Sequence, residues 1–159
     1  MKLELKHIAG YLPYELKVFL PTDELKIELK DFIFDKEYYT TEQDLRFIKP
    51  ILRPLSDLTK EIEVNGKKFV PIVELAKLTH IKEKHIFETS KSVKGECDGV
   101  KYSFGFYNGS FWMKRLRGKK WVVNDVFSQD ELFEKLDEWH FDWRYDLIKN
   151  ELAIDINTL

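Results

Sequence analysis

Two Asn-Gly dipeptides, Asn65-Gly66 and Asn108-Gly109, constrain the fold of this 159-residue chain more than any other feature. Each lies between two runs of strand-forming residues, and a two-residue connection of this kind takes a type I′ turn with positive φ at both positions. The sequence therefore predicts two β-hairpins, residues 61–64 with 67–70 and residues 100–107 with 110–116.

The second turn also sets the register of its hairpin. It places Phe106 opposite Phe111 on one face, together with Phe104 and Met113, and this face is expected to be a core face. Gly105 falls opposite Trp112 on the other face, where we expect the indole to lie over the glycine. Residues 121–123 are expected to return as a third strand.

Four further elements complete the predicted fold. Residues 16–20 and 25–29 form a strand–turn–strand unit, Pro71 begins a short helix through Leu78, and residues 152–156 form a final strand. A capping box at residues 128–131 begins a helix over 128–149. Its apolar side chains lie within about 80° of one another at helical spacing: Leu132, Leu136, Trp139, Trp143 and Leu147.

The fold class predicted from these elements is α+β, with a twisted antiparallel sheet built around the two Asn-Gly hairpins and the C-terminal amphipathic helix packed on it. A length of 159 residues with 43% hydrophobic residues predicts a single domain over residues 1–159. No apolar run approaches the roughly 18 residues of a membrane span, so we expect a soluble, cytoplasmic protein. A single cysteine, Cys97, excludes a disulfide framework within one chain.

Charge is distributed unevenly along the sequence. Residues 99–121 contain six basic and no acidic side chains, whereas residues 122–159 contain ten carboxylates against three cations, a net charge of −7. Blocks of this kind produce local potentials that the formal net charge of −2 conceals. Either the basic hairpin and the acidic helix neutralise each other in the fold, or each faces a partner.

The basic segment also contains two aromatic residues, Tyr107 and Trp112, on the face of the hairpin opposite the predicted core face. Cations for phosphates beside aromatic rings for bases are typical of surfaces that bind single-stranded nucleic acid. The alternative is that the C-terminal helix covers Trp112 and that the cations only solubilise a loop. The candidate residues for nucleic-acid or partner contact are Tyr107, Trp112, Lys114, Arg115, Arg117, Lys119 and Lys120.

A second candidate contact lies on the predicted helix. Phe141 and Tyr145 are four residues apart and fall on its acidic face, opposite the apolar stripe. Exposed aromatic side chains of this kind favour contact with a protein partner. The alternatives are that a loop buries them or that the helix breaks near His140.

No catalytic or metal-binding motif accompanies these surfaces. His80 and His85 are five apart, which is not the helical spacing of a metal-binding pair, and Asp137 with His140 lacks further ligands. Cys97 lies between Glu96 and Asp98, a setting that discourages thiolate formation. We therefore expect no enzymatic activity, no cofactor and no metal.

Four stretches of the chain resemble small phage and prophage proteins encoded on mobile elements: residues 1–7 with 11–14, residues 49–58, residues 64–71 and residues 152–157. The resemblance carries no catalytic motif. It implies a context in which accessory proteins often inhibit host defence, CRISPR nucleases included, by stoichiometric binding to a protein or ribonucleoprotein.

The function expected from the sequence is therefore that of a non-catalytic, phage-encoded binding protein that inhibits a host-defence nucleoprotein such as a CRISPR effector. In that hypothesis the basic hairpin contacts RNA, such as a guide RNA, or a phosphate-binding margin of the partner, and the acidic helix contacts a basic protein groove. The alternative is a phage accessory protein that binds single-stranded nucleic acid directly through the basic hairpin.

Overall fold

The computed structural model describes residues 2–21, 25–29, 44–79, 81, 83–124 and 129–159. The chain divides into two compact units. The first combines both ends of the chain, residues 1–54 and 136–159, and the second consists of residues 55–135. The expectation of one domain over residues 1–159 stays a prediction.

The first unit contains a mixed four-stranded sheet in the order β11-β3-β1-β2. Strands β1 (Lys17–Leu20) and β2 (Leu25–Glu28) form the predicted antiparallel pair, and β3 (Lys49–Leu52) lies antiparallel on the other side of β1. The final strand β11 (Ile154–Asp155) pairs with β3 in parallel. Helix α1 (Leu5–Ile8) lies in this unit. The described residues also form short 3₁₀ helices: Ala9–Tyr14, Asp44–Phe47 and Ile156–Thr158 in this unit, and Leu55–Thr59 in the second.

The second unit contains a two-stranded hairpin and a five-stranded antiparallel sheet. The hairpin consists of β4 (Ile62–Val64) and β5 (Lys67–Phe69), and helix α2 (Pro71–Leu78) follows it as expected. The large sheet has the order β10-β9-β8-β7-β6. Its strands are β6 (Glu83–Thr89), β7 (Ser92–Cys97), β8 (Val100–Tyr107), β9 (Ser110–Arg117) and β10 (Lys120–Asn124).

Both Asn-Gly dipeptides connect paired strands with positive φ at each residue. The φ angles are 51° and 75° at Asn65 and Gly66, and 49° and 75° at Asn108 and Gly109. In the second hairpin Phe106 lies opposite Phe111 and Gly105 lies opposite Trp112, the register that a two-residue turn requires.

The α+β class is confirmed, but the expectation of one antiparallel sheet around both hairpins is wrong. The two Asn-Gly hairpins belong to different sheets, and the sheet of the first unit includes a parallel pair. An Asn-Gly turn specifies only the pairing of its own two strands, so it carries no information about which sheet the hairpin joins.

One face of the five-stranded sheet forms an aromatic core. The rings of Phe104 and Phe111 are stacked with centroids 5.6 Å apart, and Phe106 meets Phe111 edge-on at 5.0 Å. Phe133 of helix α3 (Gln129–Glu138) lies 5.3 Å from Phe111. The C-terminal helix therefore packs on this face of the sheet, as the sequence predicts.

The predicted helix over residues 128–149 is wrong in its second half, because α3 ends at Glu138. His140 adopts a φ of 59°, in the left-handed region, and the chain then leaves the helix axis. The side chain of Asp137 draws the following residues back by accepting hydrogen bonds from Trp143 Nε1 at 2.8 Å and from Arg144 Nη1 at 2.7 Å. The proposed cap at Ser128 lies outside the described residues.

This early helix end also corrects the proposed partner contact at Phe141 and Tyr145. Phe141 is fully buried and forms a parallel bridge with Arg53, and its carbonyl oxygen accepts a hydrogen bond from Tyr11 Oη at 2.7 Å. Tyr145 packs against the core of the first unit, with its ring 4.7 Å from that of His7. Since neither lies on an exposed helix face, they stabilise the first unit rather than form a docking surface.

Candidate nucleic-acid interface

The face of the five-stranded sheet opposite its aromatic core carries the candidate site. Side chains alternate along each strand, so the register that turns Phe104 and Met113 inward turns their neighbours Ser103 and Lys114 outward. We call this surface the open face and define it by Glu88, Lys94, Lys101, Ser103, Trp112, Lys114 and Trp121. Helix α3 contacts Phe111 on the other side of the sheet. The alternative in which that helix covers Trp112 is therefore excluded.

Trp112 is positioned by the glycine opposite it. A Cβ atom added at Gly105 would come within 2.7 Å of Trp112 Cζ2 and within 2.7 Å of Ser92 Cβ. The indole thus lies against the backbone of β8, in the space that any larger residue would fill. The half-buried ring is held there with part of its surface toward solvent.

Two lysines lie over the two tryptophans of the open face. Lys114 Nζ is 5.2 Å from the ring centroid of Trp112, and Lys94 Nζ is 5.7 Å from that of Trp121. Both distances fall within the range of cation–π attraction. Each aromatic ring is therefore paired with a flexible ammonium group that can reach a nearby phosphate.

Glu88 is an acidic group of this surface, and it is bonded on both oxygens. Its Oε1 forms an ion pair with Lys94 Nζ at 2.8 Å, and its Oε2 accepts a hydrogen bond from Ser103 Oγ at 2.5 Å. Partial burial raises the pKa of the carboxyl, but the bonds from Lys94 and Ser103 and the charges of Lys94 and Lys114 outweigh it. The pKa of Glu88 is held below its usual range, so it is an ionised acceptor at neutral pH.

Two concavities lie on this side of the sheet, and Trp121 lines both. The inner pocket has a volume of about 110 Å³, and its walls are Glu88, Ser103, Trp112, Lys114 and Trp121. The outer depression is larger, about 420 Å³, and is lined by Lys94, Gly95, Glu96, Lys101, Tyr102, Leu116 and Trp121.

Most of the residues predicted for this interface are accessible. Tyr107 is 67% exposed at the end of the hairpin, Lys114 is exposed on the open face, and three cations are exposed around the β9–β10 turn: Arg117, Lys119 and Lys120. Within the part of the chain that the structure describes, no ion pair joins these cations to the carboxylates of α3. Mutual neutralisation by direct pairing is therefore not observed there.

Arg115 lies on the opposite side of the sheet from Lys114, and by the same alternation so do Arg117 and Lys120. Arg115 pairs with Tyr102 across the strands and thus lies on the core side of the sheet, where its Nε is buried without a hydrogen-bond partner. Arg115 therefore does not belong to the open face, and its contact with a nucleic acid or a partner stays a prediction.

Sequence reasoning missed five members of the open face: Glu88, Lys94, Lys101, Ser103 and Trp121. The position of Trp121 could have been found, because a short turn after β9 places it opposite Leu116, on the same face as Trp112. Glu88 and Lys94 lie on β6 and β7, whose sequences show no clear alternation of apolar and polar residues.

No family model, no curated protein and no solved structure matches this chain. Among the described residues, no helix is long and apolar enough to cross a membrane. Within those same residues, no three His, Cys, Asp or Glu side chains are grouped so that they could hold a metal ion.

Proposed function

We propose that this chain is a non-catalytic protein that binds single-stranded nucleic acid, RNA in particular, on the open face of its five-stranded sheet. The observation that carries the proposal is the juxtaposition of Trp112 and Trp121 with Lys94, Lys101 and Lys114 on one face of the sheet. Stacking on an aromatic side chain contributes about 1–3 kcal/mol per base. Lysines beside the rings add phosphate contacts with the salt dependence of counterion release.

The charge pattern supports the same function. Lys101 and Lys114 are exposed on the open face itself, and Arg117, Lys119 and Lys120 are exposed around the β9–β10 turn. Strand alternation turns Arg117 and Lys120 toward the side opposite Lys114, so these two cations lie at the end of the hairpin and outside the open face. The formal net charge of −2 does not oppose such binding, because potentials near the surface depend on local charge.

The test is a salt titration with matched charge variants. Binding of a fluorescent single-stranded RNA of about 12 nucleotides is measured by anisotropy for the wild type and for Lys101→Gln/Lys114→Gln. Each lost phosphate contact should reduce the slope of log K against log salt by about 0.7. The control is Lys67→Gln/Lys68→Gln, which removes two exposed lysines from the other Asn-Gly hairpin.

The proposal requires that the control bind as the wild type does and that the open-face variant bind more weakly with a shallower slope. Equal slopes for the two variants, or no binding by the wild type at low salt, would contradict it.

A second candidate is the inhibition of a host-defence nucleoprotein, such as a CRISPR effector, by a phage-encoded protein acting in the bacterial cytoplasm. One observation favours it: edge strand β10 exposes Val122 and Val123, at 39% and 73%, beside the cationic face. Exposed apolar side chains on a sheet edge suit contact with protein next to RNA. The sequence resemblance to phage and prophage proteins supports the same context.

Affinity purification from a bacterial host lysate, with and without nuclease, separates the two candidates. A protein partner that remains after digestion, with its nuclease activity blocked by the purified chain, supports the inhibitor. Recovery of nucleic acid alone, lost on digestion, supports direct binding of a single strand.

A further inference from the structure

The inner pocket combines two indole rings with a carboxylate that retains acceptor capacity. Each oxygen of Glu88 accepts one bond, from Lys94 or from Ser103. An ionised carboxylate offers about four lone-pair sites, so one site remains on each oxygen. Trp112 and Trp121 line the same pocket, which gives a planar ligand two aromatic surfaces near a bidentate acceptor.

The positive charges of Lys94 and Lys114 restrict the class of planar ligand that can bind here. Lys114 and Lys94 place positive charge over Trp112 and Trp121, which opposes a cationic ligand between the rings. The same ammonium groups suit a ligand that is neutral in its ring and anionic at its edge. A nucleotide has this distribution of charge, with an uncharged base and a phosphate.

Among the bases, guanine matches the remaining acceptors. Its Watson–Crick edge presents two adjacent donors, N1–H and the N2 amino group, which can bond the two oxygens of one carboxylate. Uracil presents a single N3–H between two carbonyl oxygens, and these would face the negative charge of Glu88. Adenine and cytosine each place an amino group beside a ring-nitrogen acceptor. Bases of single strands are commonly recognised on this edge while they stack on aromatic side chains.

We propose that the inner pocket is a guanine subsite in which Glu88 accepts from N1–H and N2–H while the base stacks on the tryptophans. This inference rests on the proposed function and adds base selectivity to it. Lys114, on its flexible stem, would exchange its position over Trp112 for the phosphate of the bound nucleotide.

The experiment compares RNAs of about 12 nucleotides that differ at one central position within oligouridine: uridine, guanosine or inosine. Inosine retains N1–H and lacks the N2 amino group. The wild type should bind the guanosine strand at least about fivefold more tightly than oligouridine, and inosine should lose most of this preference.

The variant is Glu88→Gln, whose amide offers one acceptor oxygen and one donor nitrogen. Its preference for guanosine over uridine should fall below about twofold, since the bidentate pairing is lost. Its affinity for oligouridine should increase, because the substitution removes a negative charge beside the phosphates. Urea unfolding of the variant, compared with that of the wild type, shows that it is folded.

The outcomes are distinct. If the wild type binds the three RNAs equally, the guanine subsite is contradicted but the proposed binding of single strands is not. If the wild type binds none of the three RNAs, both the subsite and the proposed function are contradicted. A preference for guanosine that survives in Glu88→Gln also overturns the subsite. Competition by free guanosine monophosphate shows whether the pocket binds a free nucleotide or a nucleotide within a strand. If the free nucleotide displaces the RNA at concentrations near the Kd of the RNA, the proposal that the ligand is a strand is overturned.

Discussion

At the scale of single residues, Gly105 and Trp112 form the contact on which the open face depends. Gly105→Ala should destabilise the protein by about 1–3 kcal/mol, because the new Cβ would overlap both Trp112 and Ser92. Urea unfolding monitored by tryptophan fluorescence measures the effect. In a Trp112→Ala background the cost should be smaller, since only the overlap with Ser92 remains; an equal cost in both backgrounds would contradict this packing.

His140 gives the first unit a dependence on pH. Burial lowers the pKa of its imidazole, although the hydrogen bond between Nε2 and the Tyr14 carbonyl, 2.5 Å long, opposes the shift. The unfolded chain therefore binds a proton at a higher pH than the folded chain does. His140 therefore contributes to the free energy of unfolding above about pH 6.5, the usual pKa of histidine in an unfolded chain. This contribution is lost as the pH falls through the lower pKa of the folded state.

The corresponding prediction concerns the slope of stability against pH. Stability of the wild type should decrease from pH 7 toward pH 5, and His140→Asn should show a smaller decrease although its stability at pH 7 is lower. Asparagine is chosen because it tolerates positive φ. Urea midpoints at several pH values provide the measurement, and parallel slopes for the two proteins would show that His140 does not contribute.

The residue scale also explains why the sequence misplaced Phe141 and Tyr145. The apolar spacing of Trp143 and Leu147 continues the helical period, so nothing in the pattern marks an end at Glu138. A left-handed residue after a helix is usually glycine, but here it is His140. The contacts of Asp137 with Trp143 and Arg144 that hold the turn are visible only once the chain is folded.

At the scale of elements, the hairpins were predictable because their information is local. Gly66 and Gly109 have the same φ of 75°, and an added Cβ would contact nothing within 4 Å at either position. Alanine at Gly109 should therefore cost about 1–2 kcal/mol from the left-handed conformation alone. Gly66→Ala should cost no more than this. Urea unfolding of the two variants tests the prediction, and unchanged stability of Gly109→Ala would contradict a type I′ turn.

The strands that complete the open face could not be predicted in the same way. Strand β6 carries Glu88 and strand β7 carries Lys94, and β7 is positioned by its pairing with β8 and with β6, as in the pair of Lys94 with Ser103. Their registers also shift between Glu83 and Ile86 and between Phe87 and Thr89. Because such irregular pairing depends on neighbouring strands, the sequence indicated Trp112 and Lys114 but neither Glu88 nor Lys94.

At the scale of the whole molecule, a residue on which stability depends and the residues proposed to bind RNA belong to different units. Phe141 is fully buried in the first unit, whereas the open face belongs to the second. Phe141→Ala should lower the free energy of unfolding by about 3–5 kcal/mol. Under conditions where the variant stays folded, its affinity for single-stranded RNA should equal that of the wild type.

The matched control is Phe47→Ala, which removes an aromatic side chain that is 53% exposed in the same unit. It should change stability much less than Phe141→Ala does, because little apolar surface is lost from the core. A loss of RNA binding with unchanged stability in Phe141→Ala would restore the docking role that burial argues against.

The central claim is that the open face binds a single strand, and the four tryptophans test it within one experiment. Indole N–H resonances are followed by NMR as unlabelled single-stranded RNA is added, with Trp112→Phe and Trp121→Phe used for assignment. Trp112 and Trp121 should shift, whereas Trp139, which is 7% exposed, and Trp143, which donates to Asp137, should not. Four unchanged resonances, or shifts confined to Trp139 and Trp143, would contradict the account.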